Sequence, residues 1–122
     1  MTKEINSLVL AYLGDTIYED YIREYLIRNK IGNVNDLQKE SIKYVSAKAQ
    51  CEIVKKLINE DFFTNEELEI IRRARNHKSS SHPKNCDIVT YKYATGFEAL
   101  IGYLKLEGKI DRIEEIINRI LY

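Results

Sequence analysis

Apolar residues recur along most of this chain at three- and four-residue intervals, the period of a helix face turned toward a core. Between about residues 5 and 28, Leu10, Leu13, Ile17, Tyr21 and Tyr25 fall at that spacing and predict one long helix. The stretch "NKIGNVND" breaks the pattern, with Gly32 as the expected stop. Asn35 followed by Gln38 suggests a cap for a short helix over about 36 to 44. Ala49, Ile53, Val54, Leu57 and Ile58 line one side of a helix over 46 to 59. Thr64 with Glu67 forms a capping box, opening a helix through Leu68 and Ile71 to about Arg75. Residues 76 to 85, "NHKSSSHPKN", read as the one clear loop. Asp87 can cap a long helix with the stripe Tyr91, Ala94, Phe97, Ile101 and Leu104, which Gly108 ends. A last helix, about 110 to 121, carries Ile110, Ile113, Ile116, Ile117, Ile120 and Leu121 on one face. No segment alternates as a strand would. The expected fold is all-α, one domain of six to seven helices.

Composition narrows the class. A chain of 122 residues suits one domain, and 44% hydrophobic with 31% charged content excludes a disordered chain. Nineteen Lys and Arg balance nineteen Asp and Glu, so the chain as a whole has no bulk attraction for nucleic acid or membrane. A polyanionic partner would need locally concentrated cations. Cys51 and Cys86 match no zinc or redox spacing and read as free thiols of a reducing compartment. No apolar run approaches the ~18 residues of a membrane span, and the N-terminus lacks a signal-peptide cleavage region. A cytoplasmic protein without a membrane partner is expected.

Two carboxylates stand in unexpected company. In "LAYLGDTIYED", Asp15 shares a helix face with Ala11, Tyr12, Tyr18, Glu19 and Ile22, a face expected to be mostly core. In "ATGFEALIGYL", Glu98 projects from an equally apolar helix. Gly14 adjoins the first acid, and Gly96 and Gly102 bracket the second. An interior helical glycine costs about 1 kcal/mol relative to alanine, and a carboxylate buried unpaired costs more. Glycine also permits close approach of another backbone or a ligand. Two acids on packed helices could share a divalent cation; magnesium takes oxygen ligands and keeps several waters. The alternative is a pair of structural ion pairs with Lys or Arg at the core's edge.

The stretch "IIRRARNHKSSSHPKNC", residues 70 to 86, holds Arg72, Arg73, Arg75, Lys78 and Lys84 and no acid. Such cations, with Ser79, Ser80 and Ser81 as hydroxyl donors, suit phosphate oxygens. The alternative is a solvated loop whose cations complement a helix dipole. His77 and His82 fit no metal spacing, and the serines lack the strand–turn–helix setting of a nucleophile elbow.

Together "LAYLGDTIYE", "YVSAKAQ", "RRARNHKSSSHPKN" and "ATGFEALIGYL", in this order and spacing, resemble the mini-ribonuclease III branch of the ribonuclease III family over nearly the whole chain. The resemblance implies an all-α catalytic domain working as a homodimer. It implies a magnesium-dependent endoribonuclease, with manganese able to substitute, that cuts double-stranded RNA to 5′-phosphate and 3′-hydroxyl ends. The branch's characteristic substrate is the 23S ribosomal RNA precursor. Asp15 matches the metal-binding aspartate of the family's "EFLGD" block, and Glu98 the catalytic glutamate of its "DAFEAL" block. Two further family acids fall on Ala11 and Thr95, leaving fewer protein ligands for metal. Glu19 is expected to act indirectly at most. Arg72, Arg73, Arg75, Asn76, Lys78, His82, Lys84 and Asn85 are the candidates for gripping RNA phosphates. Two other readings remain: a catalytically inactive ribonuclease III-like domain that binds RNA or ribosome precursors, and a helical protein-interaction module using the Ile-rich last helix.

Overall fold

Asn6, Asn33, Ser46, Thr64 and Asp87 each stand just before a helix and accept backbone N–H groups of its first turn with the side chain. Each satisfies donors that would otherwise have no partner. The computed structural model describes residues 2–29, 31–77 and 86–122. Among them lie a 3₁₀ turn, Thr2–Glu4, and six α-helices: α1 Ser7–Arg28, α2 Val34–Val45, α3 Ala47–Asn59, α4 Asn65–Arg75, α5 Ile88–Leu106 and α6 Ile110–Leu121. No strand occurs among the described residues. Thr64 and Glu67 form the expected capping box, and Asp87 caps α5 as expected. Gly108 follows α5 at φ 74°, a left-handed conformation that suits glycine.

The structure corrects three local expectations. The second helix starts two residues earlier than its spacing suggested, because Asn33 rather than Asn35 accepts the first-turn N–H groups. The first helix ends at Arg28, as its spacing suggested, but its cap is Asn29 rather than Gly32; the Asn29 side chain donates to the Tyr25 carbonyl at 2.8 Å there. The buried line of α1 is also displaced. It runs through Leu10, Ala11, Gly14, Tyr18, Ile22 and Leu26, while Leu13, Ile17, Tyr21 and Tyr25 are only partly covered. Both lines have helical spacing. A glycine contributes nothing to an apolar count, so the line passing through Gly14 looks weaker in sequence than it is in space.

Helix α5 is buried on nearly every side, from Ala94 to Phe97 and from Ala99 to Leu104. A helix apolar all round belongs at the centre, and α1, α3 and α4 pack around this one. The crossing with α1 is a close one, for a steric reason. A Cβ on Gly14 would lie 1.7 Å from the Glu98 carbonyl oxygen, and one on Gly102 would lie 2.0 Å from that of Leu10. Any side chain at either position would drive the two backbones apart. Gly96 faces α4, where a Cβ would meet Ile71 at 3.1 Å.

Candidate active site

The Gly14–Glu98 contact sets the site. Because the backbone of Gly14 rests against the carbonyl of Glu98, the next residue, Asp15, leaves α1 beside the place where the Glu98 side chain leaves α5. The two carboxyls come within hydrogen-bonding reach. Their environments differ. Glu98 is partly buried between helices, whereas Asp15 is exposed. That corrects the expectation that both acids sit on buried faces. The seam of α1 runs through Ala11, Gly14 and Tyr18, and Asp15, one residue round the helix from Gly14, falls on its rim.

Burial is the largest influence on Glu98. The hydrogen bond and the charge of Asp15 act in the same direction, with a smaller push from Glu19, and together they raise the Glu98 carboxyl from 4.5 to about 8. One donor works against this. Gln50 of α3, only 2% exposed, gives its Nε2 to Glu98 Oε2 at 3.3 Å and to the Val45 carbonyl at 2.9 Å. The polar Gln50 lies on the inner face of α3 with Cys51, Val54 and Leu57. Reading the sequence for apolar residues passed over it, although a glutamine four residues before Val54 on a core-facing line was the available signal.

The positions of the two absent family acids are filled by core. Ala11 is 7% and Thr95 5% exposed, and the Thr95 hydroxyl donates to the Tyr91 carbonyl at 3.0 Å. Among the described residues, no three or more His, Cys, Asp or Glu side chains are grouped to hold a metal. What remains is one carboxyl at the rim and one half-buried carboxyl whose surroundings favour its protonated form. A divalent cation fits this pair. Taking the proton's place, it would offset both the burial of Glu98 and its repulsion from Asp15. Asp15 and Glu98 would be its protein ligands, and magnesium's preference for retaining waters suits so small a set.

The basic stretch is only partly within the described residues; Lys78, His82, Lys84 and Asn85 lie outside them. The three arginines have internal tasks. Arg72 Nε donates to Glu69 at 3.0 Å, and Arg73 donates to the Ile5 carbonyl at 3.2 Å. Arg75 lies 4.3 Å from the centre of the Tyr93 ring, which Lys55 also approaches at 4.8 Å. Arg72 and Asn76 are exposed, while Arg73 and Arg75 are partly covered. The Arg72–Glu69 pair is open to water, so it is weak and leaves the guanidinium free to exchange partners.

Comparison with known proteins follows the same outline. The Ribonuclease III domain family matches residues 8–109. A mini-ribonuclease 3 of Thermoanaerobacter sp. (strain X514) is 47% identical, covering 97% of this chain and 84% of that protein. One from Staphylococcus aureus is 40% identical, covering 98% and 89%. An X-ray crystal structure of a Fusobacterium nucleatum protein superposes with a TM-score of 0.87 at 37% identity, covering 97% of this chain and 94% of that one. The all-helical fold, the full-length likeness and the matched domain agree: the chain belongs to the ribonuclease III family of endoribonucleases, among its mini-ribonuclease 3 members.

Proposed function

We propose that the protein is a magnesium-dependent endoribonuclease that cuts double-stranded RNA to 5′-phosphate and 3′-hydroxyl ends, with the 23S ribosomal RNA precursor as its substrate in the cytoplasm. The observation that carries this reading is the meeting of Asp15 and Glu98 where α1 and α5 touch through Gly14. Bound there, magnesium supplies positive charge toward the scissile phosphate and the attacking water. The chain's part is to hold the ligands. Asp15, at the rim, is open to RNA. Glu98, partly buried, is anchored by the amide of Gln50. Because only two carboxylates are at hand, RNA phosphate oxygens and water complete the cation's surroundings in this reading.

The duplex is held by its backbone. Arg72, Arg73, Arg75, Asn76, Lys78, His82, Lys84 and Asn85 contact phosphates, which positions an A-form helix without reading its bases. The enzyme acts as a homodimer, so that two sites face the two strands. An apolar surface on α1 supports this: Tyr12 is 83%, Val9 57% and Leu8 37% exposed, within two turns of Asp15. Apolar residues grouped in this way suit a protein partner better than water.

Incubation with duplex RNA and magnesium is the test. Cleavage is expected, and Asp15→Asn and Glu98→Gln should each lower it about a hundredfold or more while leaving the circular dichroism spectrum unchanged. Intact duplex under every divalent cation tried, beside a control nuclease that cuts it, would favour the inactive RNA-binding alternative. Normal cutting by both variants would instead show that Asp15 and Glu98 are not the catalytic acids.

A further inference from the structure

One buried polar group near the two acids has no structural task that explains it fully. Gln50 is 2% exposed. Its Nε2 donates to both the Val45 carbonyl, at 2.9 Å, and Glu98 Oε2, at 3.3 Å, while its Oε1 is buried without a hydrogen-bond partner. Turning the amide over would not help. It would set the Gln50 oxygen against the carbonyl of Val45, which can only accept. The donors are therefore committed, and the orphaned acceptor is the consequence. Leaving a buried acceptor unpaired is unfavourable, and an apolar side chain of the same length would avoid it. Anchoring the α2–α3 junction needs only one of the two donated bonds, the one to Val45. The second is spent on Glu98.

We infer that Gln50 is a positioning residue for the cation site: its amide, fixed by Val45, ties down one oxygen of the Glu98 carboxylate. The inference rests on the ribonuclease reading and deepens it. A neutral donor suits this task. Its Nε2 is a donor only, and with one hydrogen on Val45 the other is aimed at Glu98 Oε2, which fixes where that oxygen stands. It adds no charge that would compete with the cation, as a lysine would. Groups that orient a metal ligand without touching the metal typically contribute 10–100-fold to affinity or rate.

The test replaces the donors and keeps the volume. Gln50→Met is the principal variant and Gln50→Leu the second; each is checked for fold by its thermal transition. Manganese binding is followed by electron paramagnetic resonance without RNA, and cleavage of a duplex RNA is followed in magnesium. The variants should bind manganese roughly 10–100-fold more weakly. They should need correspondingly more magnesium for half-maximal rate, with kcat lowered and KM for duplex RNA unchanged. In the wild-type protein, the Gln50 side-chain amide resonance should move as magnesium is added; this readout needs no folded variant. Wild-type manganese affinity and kcat in a folded variant would overturn the inference. So would a Gln50 amide signal unmoved by magnesium while the signals of Asp15 and Glu98 shift. Wild-type protein that neither binds manganese nor cuts duplex would instead overturn the ribonuclease reading, so the two failures are distinguishable.

Discussion

Glu98 carries the largest electrostatic strain at the site, and solution pH controls it. Its carboxyl is raised from 4.5 to about 8 in the folded, metal-free chain. A folded value above the unfolded one gives a stabilising contribution that is complete below about pH 4.5. It is lost progressively as pH rises through about 8, at up to about 1.4 kcal/mol per pH unit. Glu66, Glu69 and Asp87 are shifted downward by their hydrogen bonds, so their contributions are lost on acidification instead. The clean measurement is therefore a difference. The melting temperature of Glu98→Gln minus that of the wild type should rise by roughly 10–15 °C between pH 5 and pH 8 in chelator. Magnesium should shrink that difference by stabilising the wild type alone. A pH-independent difference would show that Glu98 ionises like an exposed acid. Both acids were legible from the glycines beside them and from the resemblance of the blocks that hold them. Their unequal exposure was not, because a one-residue rotation about α1 separates seam from rim.

The contact of α1 with α5 is the structural element on which the site depends. Gly14→Ala and Gly102→Ala would place a methyl group 1.7 Å and 2.0 Å from backbone carbonyl oxygens, which no rotamer can relieve. Alanine's helix preference returns about 1 kcal/mol, less than the overpacking removes. Each variant should be destabilised by about 3 kcal/mol, and Gly14→Ala should also lose cleavage by moving Asp15 off Glu98. Gly32→Ala, with no atom within 4 Å of the added carbon, serves as the neutral control. A second element-level test concerns the junction of α4 with α6. Arg112 binds Glu67 through two bonds of 2.8 Å, and Glu67 is 5% exposed while also closing the cap with Thr64. Arg112→Ala strands a buried carboxylate and should cost about 3–5 kcal/mol in urea unfolding. Helix number, the Thr64–Glu67 box and the Asp87 cap could be read from sequence because they depend on neighbours within four residues. The seam of α1, the role of Gln50 and the pairing of Arg112 with Glu67 depend on which helices meet, and that information is spread over the whole chain.

At the scale of the molecule, a balanced total charge leaves the proposed duplex binding to a few cations and to the proposed dimer. The basic stretch should make binding fall steeply with salt, in proportion to the phosphates contacted. The apolar surface of Leu8, Val9 and Tyr12 should be covered by a second copy of the chain. Sedimentation should report two chains per particle, and Tyr12→Glu should report one, with cleavage of duplex reduced at equal chain concentration. A dimer undisturbed by Tyr12→Glu would place the interface elsewhere. All of these expectations presuppose that α1 and α5 bring two carboxylates to one cation. The most direct measurement is anomalous diffraction from a crystal soaked in manganese. The account predicts a single strong peak per chain within coordinating distance of both Asp15 and Glu98, absent in Asp15→Asn. Manganese bound elsewhere, or a peak that survives that substitution unchanged, would contradict it.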